Sequence, residues 1–233
     1  MTERSNGDTH GRRDNDAQGR LLLAETLWKL GGVQFGDFSL GRTVRNSPVY
    51  VNAKLLISRP DALKKTVGLI EEELLAGLTM RNRTIEPFDA IAGVPIGGLH
   101  IATALALQMN IPLLYVRPPR SADEVARPHI EGIYRPGHRA LVVDDLAAGG
   151  GSLVDTVLAL RDAGLHVSDA VVLIDREQGA ERRLHSMGVR LHAVLSLEVM
   201  LTFLESKEYL RADDYERAMA YIRREGEPRS EFD

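Results

Sequence analysis

Leu141-Val-Val-Asp-Asp-Leu-Ala-Ala-Gly-Gly-Gly-Ser152 is the stretch that decides the fold. It opens as an apolar strand and ends that strand in two acids, Asp144 and Asp145. It then runs through small residues, Ala147, Ala148, Gly149, Gly150 and Gly151, into Ser152 and the amphipathic stretch 153–160. In an open α/β sheet, ligands sit beyond the carboxyl ends of the strands. Small residues let backbone N–H groups approach an anion closely, and a helix N-terminus favours one. Ser152 is placed to cap that helix. Carboxylates beside such a site would repel an anion unless they bind something else. Sugar hydroxyls and a divalent cation such as Mg²⁺ suit them, since Mg²⁺ takes carboxylates, waters and substrate phosphates. The segment therefore suits a sugar phosphate, with the acids on the sugar and the glycines on the phosphate. A solvated acidic turn is the plainer alternative, but strand, paired acids, small loop, serine and helix in this order are more specific. No Gly-Lys-Ser/Thr follows, so this is not a P-loop, and Gly-x-Gly-x-x-Gly is absent.

Outward from this segment the chain alternates. Strands are predicted at 90–94, 112–116, 140–143, 170–174 and 189–195, and helices at 99–108, 153–163 and 180–187. Continuous apolar strands such as Ala-Leu-Val-Val are what a parallel sheet covered on both faces needs. The spacing argues a doubly wound α/β domain. Upstream, 21–30 reads as a helix stopped by Gly31-Gly32, and 34–40 and 49–53 read as two paired β pieces. Pro60-Asp61 opens a helix to about Gly77. Two helices, about 197–207 and 212–224, close the chain. Residues 118–129 read as a polar loop.

Composition excludes several classes. There is no cysteine, so thiolate zinc sites, iron–sulfur clusters and cysteine nucleophiles are out. With 29 basic and 33 acidic residues the net charge is −4, which gives no pull toward nucleic acid or an anionic membrane. No stretch approaches the roughly 20 apolar residues of a membrane span, and a cytoplasmic location is expected. Residues 1–18 are polar and read as a disordered tail. Residues 19–233 read as one domain. The seven histidines are scattered with no metal-binding spacing. Glu181-Arg182-Arg183 reads as a solvated helix face.

The acidic loop resembles the 5-phosphoribosyl-1-pyrophosphate (PRPP) motif of type I phosphoribosyltransferases. Further stretches resemble the orotate branch: Phe35-Gly-Asp-Phe-Ser-Leu40, Ser47-Pro-Val-Tyr-Val-Asn52, Ile57-Ser-Arg-Pro60, Gly93-Val-Pro95 with Gly97-Gly98, Ile130-Glu-Gly132 and Asp175-Arg-Glu-Gln-Gly179. They follow in order from about 35 to 205. The resemblance implies a central, mostly parallel sheet flanked by helices, with hood elements at about 19–55 and 190–233. It implies transfer of a phosphoribosyl group from PRPP to orotate, with Mg²⁺, in a homodimer with composite active sites. Asp144 and Asp145 would contact the ribose and, weakly, Mg²⁺ carried by PRPP, and 147–152 would cradle the 5′-phosphate. Gly97 would lie in a second phosphate-binding turn. Arg117 and Arg120 would meet pyrophosphate, with Arg117 catalytic. Arg176, Tyr50, Arg42 and Ala148 would face the base.

The chain departs from that pattern in three places. The loop from Arg117 to Arg127 lacks the family's lysines and histidine, holding Pro118 and Ser121 at the lysine positions. Ala148 stands where the phosphate loop usually has threonine, and Arg42 falls at the position of a base-facing lysine. A relative acting on another base, or a PRPP-sensing regulator without catalysis, stays open on sequence grounds.

Overall fold

The computed structural model describes residues 8–40, 44–118 and 129–226. It opens with helix α1, Asp8–Lys29. The predicted tail thus contributes a helix from Asp8, and residues 1–7 lie outside the described residues. The apolar stripe that marks 21–30 supplies the nucleus, and extending a helix costs far less than starting one. Gly31-Gly32 ends it as expected. Gly31 adopts φ 73°, its N–H bonds Trp28 O at 2.9 Å, and Gly32 N–H bonds Leu27 O at 2.8 Å. This is the paired 5→2 and 6→1 closure of a Schellman motif.

Strands β1, Val33–Leu40, and β2, Val44–Val51, form a separate antiparallel hairpin. β2 begins earlier than the sequence suggests and carries Pro48 inside it, which an edge strand tolerates. A 3₁₀ helix, Ala53–Ser58, then leads to α2, Pro60–Thr79.

The central sheet has six strands in the order β5-β4-β3-β6-β7-β8. They are β3 (Ala90–Gly93), β4 (Leu113–Val116), β5 (Ile130–Glu131), β6 (Ala140–Ala147), β7 (Asp169–Asp175) and β8 (Arg190–Ser196). All pair in parallel except the short edge strand β5, which runs against β4. Between them stand α3 (Gly97–Met109), α4 (Gly151–Asp162) and α5 (Ala180–His185). Helices α6 (Leu197–Ser206) and α7 (Ala212–Gly226) follow. β8 is an edge strand of this sheet, so the stretch from 190 begins in the sheet and not in the hood.

The sheet's helices divide between two cores. One holds α3 residues such as Leu105 with Leu141, Val143 and Val171. It continues without a break into Leu27, Val49 and Leu56 of the hood side and into Leu204 and Ile222 of α6 and α7. The other packs Val157 of α4 and Leu184 of α5 on Val142 and Val172. From β3 the chain turns one way to β4 and later returns to β6 on the other side. The reversal falls between β3 and β6, and an open α/β sheet binds its ligands at such a point.

Candidate functional site

β6 does not end at its acids. It pairs with β7 through Asp144–Val172, Leu146–Ile174 and Ala147–Asp175, so Asp144 and Asp145 lie inside the strand. The length of β7 carries the ladder past them, which the polarity of the two acids conceals in the sequence. Both are buried, each 7% exposed. Burial, reinforced by the neighbouring Asp145 carboxylate, pushes the Asp144 carboxyl well above the usual range. Asp144 Oδ1 accepts from the Asp145 N–H at 2.8 Å.

Asp145 pairs with a residue that sequence reasoning missed. Lys54 Nζ, from the 3₁₀ helix, lies 3.0 Å from Asp145 Oδ2. Burial opposes the ammonium charge, but Asp145, and more weakly Tyr50 and Asp144, more than offset it and raise the lysine's pKa. The first turn of α3 makes room for the acids. A Cβ on Gly97 would lie 2.4 Å from the Asp145 carboxyl group, and one on Gly98 2.4 Å from Val143 O. Gly97 is therefore beside Asp145, at the same end of the sheet as the acids.

Of the predicted small loop, Ala147 ends β6 and Gly151 opens α4, so 148–150 make the connection, beside a cavity of about 550 Å³. Asp144, Ala148, Gly149, Ser152, Asp155 and Arg183 are among its lining residues. Ser152 does not cap α4. Gly150 does, at φ 74°, with no side-chain cap bond. The chain enters the helix through a left-handed conformation that glycine adopts without strain, two residues before the serine. Ala180 N–H bonds Ala148 O at 3.0 Å, fastening the start of α5 to the loop.

Arg176 follows β7 and is 1% exposed. Its Nη2 donates to Ser47 Oγ at 2.8 Å and to Val49 O at 3.2 Å, while its Nε is buried with no hydrogen-bond partner. Burial makes its charge harder to hold. The guanidinium is thus clamped against β2 of the hairpin. Tyr50 lies on the same strand, half-buried, with its ring 5.5 Å from that of Phe38. Asp175, next to Arg176, is pushed up to about 6 by burial, although the Glu177 N–H bonded to it acts the other way.

Arg117 sits just past β4, at the same end of the sheet as the acids, with Nη1 3.7 Å from Glu131 Oε1. His129 Nε2 lies 3.4 Å from the same oxygen. Arg42, Arg120 and Arg127 lie outside the described residues. Among the described residues no three His, Asp or Glu side chains gather into a metal-binding group. Two adjacent carboxylates suit a cation held chiefly by substrate oxygens and water.

The family model for the phosphoribosyl transferase domain matches residues 72–192. The chain is 38% identical over 174 residues to an orotate phosphoribosyltransferase of Cenarchaeum symbiosum, covering 74% of this chain and 84% of that one. It is 34% identical over 200 residues to the uridine 5′-monophosphate synthase of Bos taurus, covering 86% of this chain but only 40% of that longer protein. The crystal structure of orotate phosphoribosyltransferase from Aeropyrum pernix superposes with a TM-score of 0.65 at 35% identity, over 80% of this chain and 99% of that one.

Proposed function

The chain belongs to the orotate phosphoribosyltransferase family, and from that premise we propose that it makes orotidine 5′-monophosphate from PRPP and orotate. One observation carries the reading. A buried acid pair and a small-residue loop beside an open cavity stand on one strand, at the reversal point of the sheet.

In the reaction the bond from ribose C1 to pyrophosphate breaks, a bond from C1 to a ring nitrogen of orotate forms, and the proton on that nitrogen is released. Pyrophosphate leaves with the bonding electrons. The protein's part is to hold three groups in line and to stabilise the leaving charge. Asp144 and Asp145 hold the ribose hydroxyls. Asp145, paired with Lys54, accepts from one. Asp144 accepts from the other. The backbone of 147–152 holds the 5′-phosphate, and Ala148 offers only its main chain. Gly97, Arg117 and Arg120 face pyrophosphate. Arg176, Tyr50 and Arg42 face the base, and a guanidinium matches a carboxylate through two parallel hydrogen bonds. For Arg176 this requires exchanging its bonds to Ser47 and Val49. Asp144 and Asp145 would weakly hold an Mg²⁺ carried by PRPP, which would neutralise charge at pyrophosphate.

The reading extends to UMP biosynthesis, a cytoplasmic homodimer with composite active sites, and no nucleic-acid or membrane partner. Among the described residues no helix is long and apolar enough to cross a membrane. The test is a steady-state assay of purified protein with PRPP, Mg²⁺ and a panel of bases. Orotate-dependent pyrophosphate release is expected. Turnover of another base without orotate turnover would replace the substrate. Tight PRPP binding with no turnover of any base would make the protein a sensor.

A further inference from the structure

The cavity beside 147–152 must hold a phosphate dianion, yet Asp144 and Asp155 line it. Arg183 is the one cation among the described residues lining it. The loop also has Ala148 where its relatives are expected to offer a hydroxyl, so one neutral donor is missing. Sequence reasoning assigned Arg182 and Arg183 together to a solvated face. The structure separates them. Arg182 bonds Gly226 O at the end of α7. Arg183 reaches over the loop instead, with Nη1 3.4 Å from Gly149 O and 3.9 Å from where a Cβ on Gly151 would be. Among the described residues it makes no ion pair. A guanidinium has five donors, and here one long bond to a carbonyl is all that engages them. Its base is anchored, because α5 is tied to the loop through Ala180 and Ala148, and a Cβ on Gly150 would lie only 3.1 Å from Ala180 Cα.

We propose that Arg183 is a binding residue for the 5′-phosphate, moving from the Gly149 carbonyl onto the phosphate oxygens and replacing the donor that Ala148 lacks. This rests on the assignment of the 147–152 loop to that phosphate. Arginine suits the task, since it presents paired donors to two oxygens and holds its charge at any working pH.

The test is calorimetric titration of the full chain with ribose 5-phosphate, alongside steady-state kinetics. Arg183→Ala is expected to weaken ribose 5-phosphate binding about fivefold, at the upper end for a charge pair at an exposed site. It raises KM for PRPP by a similar factor and leaves kcat and the KM for orotate nearly unchanged. Arg183→Lys restores part of the affinity. Adding Ala148→Thr to Arg183→Ala restores part of it by returning a hydroxyl. Gly149→Glu, which puts a carboxylate on the loop, abolishes binding in either background. If Arg183→Ala binds ribose 5-phosphate as the wild type does while Gly149→Glu does not, the role of Arg183 is overturned and the loop assignment stands. If Gly149→Glu binds normally, the loop assignment falls, and Arg183 with it.

Discussion

Lys54 and Asp145 form a contact that neither neighbourhood announces. The lysine is about half exposed, so solvent screens the pair and its worth to folding is small. Its worth to the proposed site is larger, because it fixes the carboxylate that the proposed reaction sets against a sugar hydroxyl. Lys54→Ala is expected to lower kcat/KM for PRPP about tenfold, with Lys54→Arg recovering most of it. In a double-mutant cycle Lys54→Ala should add little to Asp145→Asn, since the first acts through the second. Full additivity of the two would sink that reading. At this scale the sequence is uneven. Asp144, Asp145 and 147–151 are legible because order along the chain is itself the signal: strand, acids, small residues, helix. Lys54 and Arg183 are not. Each sits on a one- or two-turn helix with no periodicity, and only the packing of the 3₁₀ helix on β6, and of α5 on the loop, gives them partners.

β7 joins the two ends of the sheet, and its lower end has its own polar knot. Asp169, 3% exposed, accepts from Arg190 Nε at 2.8 Å, Arg190 Nη2 at 2.9 Å and the Glu86 N–H at 2.9 Å, with His192 Nε2 also at 2.9 Å. Burial alone would raise its pKa, but the bonds from His192, Arg190 and Glu86 win and lower it. A carboxylate depressed in the folded state stabilises the fold above its unfolded pKa, roughly 4, and loses that contribution as the pH falls through the folded value. Asp169→Asn is therefore expected to cost about 2–3 kcal/mol near pH 7, with the gap to wild type closing below about pH 4. Urea unfolding across that range checks it, and a gap constant from pH 7 to pH 3 would count against the knot. Strand and helix alternation was readable at this scale because apolar runs such as 170–174 are buried on both faces. The extension of β6 through its acids, the pairing of β5 and the early start of β2 were not, since each is set by a partner strand and not by the strand's own residues.

Across the whole molecule the larger core is the organising object. It runs from α1 and the hairpin through one face of the sheet into α6 and α7. Trp28, the sole tryptophan, stacks on Tyr209 at 6.0 Å between ring centres, joining α1 to the segment before α7. We infer that the hood and the sheet unfold together. Trp28 fluorescence and far-UV circular dichroism should then trace one coincident urea transition. An early fluorescence step would divide the chain into two units. The sheet's parallel character and its flanking helices were legible from the sequence, but the merging of hood and core was not, because it depends on contacts between residues more than a hundred positions apart, as with Arg176 and Ser47. That clamp, from the end of β7 to the hairpin, also bears on evolvability. In the proposed reading the sugar phosphate is held by β6, its loop and α5, while Tyr50 and Arg176, set at the base, belong to β2 and the end of β7. Substitutions in the hairpin can change which base is accepted without loosening the grip, so a lineage built on this scaffold is free to trade one nucleobase for another while inheriting the same donor of the sugar.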